Sequence, residues 1–220
     1  MYKSIIFDLD GTLLNTLIDI RAAINAALKQ CGYDYSYSLK ESKTLIGNGT
    51  DVLVRRALRE IGDDEAAFAQ LKSAYLPFYE SMQNLHTKPY NGLPEVLRFL
   101  KDKGVALMVA TNKPDKLAKE LLDAQFGHGF FLDVGGSTPN SPVKPDPIIV
   151  NRFVDAHNLD KGSTLFVGDS YVDVDTAHNA NIKCCLVKWG YGFYKKALLQ
   201  KADYVISKPK ELVRVALGKE

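Results

Sequence analysis

Cysteine, methionine and tryptophan are scarce in this chain of 220 residues, at three, three and one. Cys31 stands alone and Cys184 and Cys185 are adjacent. Such an odd, uneven set argues against a disulfide framework, and none of the three has metal-ligand spacing. A reduced, cytoplasmic protein is the expectation. Excess charge of one sign is also lacking: 28 basic residues face 26 acidic ones, for a net charge of +2. The two signs are interspersed with no arginine-rich run or basic stripe, so a nucleic-acid partner is not expected. No apolar run approaches the length of a membrane span, and the first residues hold no apolar segment of signal-peptide length. Internal repeats, low-complexity tracts and long Gly/Ser linkers are absent too. Hydrophobic residues at 46% and charged residues at 25% build an ordinary core and surface. The length suits one large domain, or a core with a smaller insert.

Strand-like and helix-like segments alternate, which predicts a parallel α/β sheet. Ile5, Ile6 and Phe7 form an apolar strand, and a helical stretch runs from Thr16 to Cys31 with Gly32 as its stop. From there to about Leu85 only helical patterns occur. Beyond lie a helix within 91–104, a strand over 105–111, a helix over 115–125 and a weaker strand over 130–134. A helix over 146–157, a strand within 163–170 and a helix over 171–180 come next, and strands near 184–187 and 203–207 close the pattern. The fold class is α/β: a Rossmann-like parallel sheet core flanked by helices, from residues 1–15 and 86–220, with a mostly helical insert over 16–85.

Polar clusters end three of the apolar strands: Asp8/Asp10, Thr111/Asn112/Lys113 and Asp169/Ser170. Open parallel sheets place ligand sites at that end of their strands. A buried carboxylate costs several kcal/mol unless a cation or hydrogen bonds compensate, in the range of about 2–7 kcal/mol even for a neutral polar group. In an extended segment Asp8 and Asp10 share a side, and Gly11 permits a tight turn. A fourth cluster, SPVKPDP over 141–147, holds Lys144 between two prolines that fix its backbone. Each has an ordinary alternative: an Asp-Gly turn, a helix cap at Thr111-Asn112, a solvated lysine loop, a Gly-Asp-Ser turn. The order of all four, each after the right kind of element, favours a common site.

FDLDGTLLNT, VATNK, VKPDP and VGDSYVDVDTAHNA resemble the four motifs of the haloacid dehalogenase superfamily, in order and spacing, across essentially the whole chain. TLIGNGTDVLVRRAL (44–58), PYNGLPEVL, VKWGYG and ADYVISKPKEL further resemble the phosphoglycolate phosphatases within it. Two departures are visible: Asn15 stands where Asp is common, and Asn181 replaces a usual Gly.

The resemblance implies that Asp8 is the nucleophile and forms an aspartyl phosphate, needing no activating base because it is already ionised. Asp10 is implied as acid and then base, and its presence points to phosphate-ester chemistry rather than dehalogenation. Mg²⁺ is the implied cofactor, held by Asp8, Asp169 and the Asp10 carbonyl, with Asp173 a ligand through water or an orienter. Lys144 supplies a fixed positive charge between Asp8 and the phosphate, and Thr111 and Asn112 hold phosphate oxygens through amides near a helix start. The helical insert over 16–85 stands where this family places a helical cap, and Gly47, Asn48 and Gly49 are either a loop of that cap that meets the leaving group or a plain connection. His86, His128, His157 and His178 are expected to be surface or packing residues. Asp175 is either part of the metal cluster or a first-turn residue favoured by the helix dipole. The expected activity is Mg²⁺-dependent hydrolysis of a small phosphorylated metabolite, 2-phosphoglycolate first. The alternatives are a β-phosphoglucomutase-type mutase, a phosphatase for pyrophosphate or a sugar phosphate, and a non-catalytic binding protein.

Overall fold

The computed structural model describes residues 1–139 and 141–218. Its strands are β1 (Ser4–Phe7), β2 (Leu14–Asn15), β3 (Lys88–Pro89), β4 (Ala106–Pro114), β5 (Asp133–Ser137), β6 (Thr164–Gly168), β7 (Lys183–Val187) and β8 (Tyr204–Ile206). Its α-helices are α1 (Leu17–Gln30), α2 (Leu39–Ser42), α3 (Thr50–Ala57), α4 (Glu65–Met82), α5 (Leu93–Asp102), α6 (Asp115–Phe126), α7 (Ile148–Ala156), α8 (Tyr171–Asn179), α9 (Lys196–Lys201) and α10 (Glu211–Leu217). Among the described residues no helix is long and apolar enough to cross a membrane.

Six strands form one parallel sheet in the order β5-β4-β1-β6-β7-β8. All four residues of β1 are buried, as a central strand covered on both faces requires. Side chains alternate across it. Ile5 and Phe7 join an apolar cluster with Leu97, Leu107 and Leu165. Ile6 joins another with Met108, Phe153 and Phe166. This is the Rossmann-like α/β core that the alternating segments predict. From β1 the chain order runs to β4 and β5 on one side, then to β6 on the other, so the carboxyl ends of β1, β4 and β6 border a switch-point crevice.

Helices α1, α3 and α4 bury a third cluster, with Ile24, Leu28, Val54, Leu58, Leu71 and Tyr75 at its centre and Leu117 of α6 joining it. Two stitches tie the ends of this helical segment together. β2 and β3 pair antiparallel, Leu14 opposite Pro89 and Asn15 opposite Lys88. Buried Asp19 of α1 accepts hydrogen bonds from the amides of His86 (3.0 Å) and Thr87 (2.8 Å) and from the Thr87 hydroxyl (2.7 Å). A two-residue pairing between distant segments has no periodicity, so sequence patterning does not reveal it.

Two strands differ from expectation. β4 continues past Thr111 to Pro114, and the strand expected over 130–134 begins only at Asp133. Phe130 and Phe131 instead cluster with Phe126, ring centroids 5.1–5.5 Å apart. The strand itself, DVGGS, has little β-propensity. Its glycines serve close approach: a Cβ on Gly136 would sit 2.6 Å from the Lys113 carbonyl oxygen and 2.7 Å from the Asp115 amide nitrogen. Gly136→Ala should therefore destabilise the protein by about 2 kcal/mol or more, lowering Tm by about 4 °C or more. Thermal unfolding of Gly136→Ala beside Ser137→Ala checks this, and equal melting of the two would refute the close-approach account.

Candidate active site

Asp8 extends β1 by one residue, its amide donating to the Val167 carbonyl at 2.9 Å. The chain then turns sharply, with the Leu9 carbonyl accepting the amides of Leu13 and Leu14 at 3.0 Å. Gly11 makes the turn at φ 85°, and a Cβ there would stand 2.6 Å from Asp169 Oδ2. Glycine thus serves both the left-handed backbone and the approach of a carboxylate from β6.

Asp8, Asp169 and Asp173 converge, with one carboxylate oxygen of each within 4.8 Å of the others, all three buried. Lys144 Nζ, itself buried, lies 2.7 Å from Asp8 Oδ1 and 2.7 Å from Asp173 Oδ1. The Ser170 amide (3.0 Å) and hydroxyl (2.7 Å) donate to Asp173 Oδ2. The amides of Tyr191 (2.5 Å) and Gly192 (3.1 Å) donate to Asp169 Oδ2. Burial pushes the Asp8 carboxyl up to about 7, with Lys144 opposing and Asp173 assisting. Burial, then the charges of Asp173 and Asp8, raise Asp169 well above the carboxylate range against its two amide donors. Burial alone would lower the Lys144 ammonium, but Asp173 and Asp8 outweigh it and hold it above its usual range. Three buried carboxylates thus gather where one ammonium contacts two of them. Their hard oxygen donors and unbalanced charge fit a divalent cation such as Mg²⁺.

Asn112 is placed differently from a free phosphate donor. Its side-chain amide donates to the Lys144 carbonyl at 3.0 Å and accepts from the Lys144 amide at 2.7 Å. It pins the backbone of the lysine. Because β4 runs to Pro114, the amides of Thr111 and Asn112 lie in a strand rather than at a helix start. The buried Thr111 hydroxyl accepts from the Lys113 amide at 3.3 Å.

Asp10 stands apart from the three-carboxylate group. Lys113 Nζ, almost fully buried, lies 3.1 and 3.3 Å from its two oxygens and also donates to Tyr79 Oη of α4. The loop 47–49 lies over this crevice. The Gly47 carbonyl accepts from Asn112 Nδ2 at 3.4 Å, and Asn48 Nδ2 donates to Tyr171 Oη of α8 at 2.9 Å. Arg56 of α3 donates to Asn48 Oδ1 at 2.8 Å and to the Thr44 carbonyl at 3.2 Å. A cavity of about 160 Å³ lies among Asp10, Asp169, Gly47, Asn48 and Arg56. Drug-sized ligands need about 300 Å³ or more, so this one suits a small molecule.

Tyr79, Arg56 and Tyr191 escape sequence reasoning, which places Lys113 in the cluster 111–113 but gives it no role. Lys113 leaves a signal as a lysine at the end of an otherwise apolar strand. Tyr191 Oη accepts the amides of Thr16 (2.7 Å) and Leu17 (3.0 Å) and donates to Asn15 Oδ1 (2.9 Å). Its own amide meets Asp169, so it couples the start of α1 to the acidic group. Asp175 lies outside that group and pairs with Lys201 at 2.5 Å. His86, His128 and His157 each pair with a carboxylate at 2.9 Å. Asn181, which replaces a usual Gly, takes the left-handed conformation at φ 57°, which asparagine tolerates.

The family model for haloacid dehalogenase-like hydrolases matches residues 5–187. The chain is 33% identical to a phosphoglycolate phosphatase of Aquifex aeolicus over 214 residues, covering 97% of this chain and 96% of that protein. It is 31% identical to a phosphoglycolate phosphatase of Vibrio parahaemolyticus, covering 97% and 95%. Its fold is similar to the crystal structure of a predicted phosphoglycolate phosphatase from Haemophilus somnus, with a TM-score of 0.89, 30% identity and 97% of each chain covered. The chain belongs to the haloacid dehalogenase-like hydrolase family and is a phosphoric monoester hydrolase.

Proposed function

We propose that this protein is a Mg²⁺-dependent phosphatase that hydrolyses 2-phosphoglycolate, or a closely similar small phosphate ester, through an aspartyl phosphate on Asp8. The observation that carries the reading is the buried Asp8–Lys144–Asp173 bridge with Asp169 beside it and Asp10 adjoining. The whole-length similarity to phosphoglycolate phosphatases and the small cavity support the choice of substrate. Asp8, Asp169, Asp173 and the Asp10 carbonyl are the residues proposed to hold Mg²⁺, which supplies positive charge against the phosphate when bound. Free thiols at Cys31, Cys184 and Cys185 suit a reducing cytoplasm.

In the forward step an Asp8 carboxylate oxygen attacks phosphorus as the bond to the leaving oxygen breaks. Asp10 gives that oxygen a proton. Asp10 then takes a proton from the water that attacks the phosphorus of the aspartyl phosphate, releasing inorganic phosphate and restoring Asp8. Lys144 keeps Asp8 oriented and offsets the phosphate charge, while Asn112 holds the Lys144 backbone and Thr111 lines the same strand end. Residues 16–85 act as a cap over this centre, residues 1–15 and 86–220 as the core, and the 47–49 loop meets the leaving group.

Asp8→Asn should lower kcat on 2-phosphoglycolate by at least about 10³-fold while the protein stays folded. A folded variant keeping a tenth of wild-type activity would remove Asp8 from the nucleophile role. Gly47 and Gly49 have φ 112° and 87°, so valine at both should distort the loop. Activity on 2-phosphoglycolate should then fall sharply and that on acetyl phosphate much less; equal losses would assign the loop to packing.

The raised Asp8 value also has a stability consequence. Its carboxyl titrates at its ordinary value of 3.8 in the unfolded chain and at about 7 in the fold. Between those values the folded state holds the extra proton, so this group's contribution falls as pH rises through that window. In chelator, Asp8→Asn should therefore melt higher than wild type at pH 8, by about 2 °C or more, with little difference near pH 4. Mg²⁺ should raise the wild-type Tm more at pH 8 than at pH 5.5, because protons compete for the same oxygens. Calorimetry at the three pH values checks both signs, and a wild type that melts above Asp8→Asn at pH 8 without metal would contradict them.

A further inference from the structure

Two buried lysines serve this site, and each faces a different carboxylate. Lys144 bridges Asp8 and Asp173; Lys113 faces Asp10. The Lys113 side chain is only 2% exposed, and a buried ammonium without partners is costly. Its three donors have three acceptors: the two Asp10 oxygens and Tyr79 Oη. Tyr79 is held in turn. It is buried in α4 and stacks on Tyr75 with ring centroids 5.5 Å apart and planes 10° from parallel. The partner that completes the Lys113 shell therefore comes from the helical segment between the first two motifs.

We infer that Lys113, seated by Tyr79, is a positioning residue that aims the Asp10 carboxyl at the leaving oxygen. The inference rests on the reading of Asp10 as proton donor. A protonated carboxyl still accepts at its carbonyl oxygen, so Lys113 holds Oδ1 while Oδ2 carries the proton. In the step, the Asp10 O–H bond breaks and its proton goes to the ester oxygen. That oxygen keeps the electron pair of the breaking P–O bond, and an Asp8 oxygen forms the new bond to phosphorus. Lys113 keeps all its protons. Seating the helical segment on the core brings Tyr79 to Lys113, so the geometry for proton transfer is complete only when both parts are together.

The test is the dependence of kcat/KM on leaving-group basicity, measured with substituted phenyl phosphates and 2-phosphoglycolate. This parameter ends at formation of the aspartyl phosphate, and a good leaving group departs without a proton. Lys113→Met should lose about 30-fold or more on 2-phosphoglycolate and about threefold or less on p-nitrophenyl phosphate, steepening the slope toward that of Asp10→Asn. Tyr79→Phe should steepen it less, by about fivefold between the same two substrates, and Lys113→Arg should restore part of the wild-type slope. If Lys113→Met does not fold, Tyr79→Phe, which removes a single oxygen, decides the question. Equal losses on every substrate, with the wild-type slope kept, would overturn the positioning role and leave a structural one. If Asp10→Asn itself keeps the wild-type slope, the assignment of Asp10 as proton donor fails; if only the Lys113 and Tyr79 variants keep it, that assignment stands and the positioning role falls.

Discussion

The ammonium of Lys144 lies 2.7 Å from Asp8 and 2.7 Å from Asp173, buried with both, and the rest of the site is arranged around that contact. Three carboxylates cannot share a dry pocket without cations, and here the protein provides one positive charge among them. The surrounding groups keep that charge in place. Asn112 grips the Lys144 backbone from both sides, Ser170 takes the second Asp173 oxygen, and the amides of Tyr191 and Gly192 take an Asp169 oxygen. The parallel sheet delivers Asp8, Asn112 and Asp169 from the carboxyl ends of β1, β4 and β6, where the chain order reverses. Lys144 comes from the loop after β5, and Tyr191 and Gly192 from the loop after β7. The remaining charge imbalance is what makes the pocket suited to a divalent cation and unfavourable without one.

The helical segment joins this centre through polar contacts at two places. Tyr79 reaches Lys113 and so touches the shell of Asp10, while the loop 47–49 meets Asn112 and, through Asn48, Tyr171. At its base, Tyr191 links the first turn of α1 to Asp169, and Asp19 links α1 to residues 86 and 87. The segment is thereby tied to the very residues proposed to transfer phosphate and protons. The small cavity is lined by Asp10 and Asp169 of the sheet domain and by Asn48 and Arg56 of the helical segment, so the residues proposed for chemistry and for specificity share a boundary.

Much of the fold is legible in the sequence because its signals are local. β1 and β6 read as apolar runs since both faces of each are covered, and the helices announce themselves through periodicity and terminal glycines. β5 is hidden because its glycines exist to let the 113–115 backbone and α7 come close, and such glycines lower the strand signal. The convergence of Asp8, Asp169 and Asp173 follows motifs that stand at strand ends, so their neighbourhood is foreshadowed by the alternating pattern. The work of Asn112 is not, since its acceptor and donor belong to a loop 32 residues away.

By itself the sequence determined the α/β class, the order of the strands along the chain and the placing of acidic and basic residues just beyond apolar strands. Backbone propensity and side-chain period act over a few residues, and a linear pattern records them. Only the tertiary structure decided that Lys113 serves Asp10 and that Lys144 reaches Asp173 as well as Asp8. It also decided that Tyr79 and Arg56 of the helical segment border the site, and that Tyr191 ties α1 to Asp169. Those pairings join residues far apart in the chain, and burial selects them: a charge taken out of water must find whichever partner the packing brings within reach.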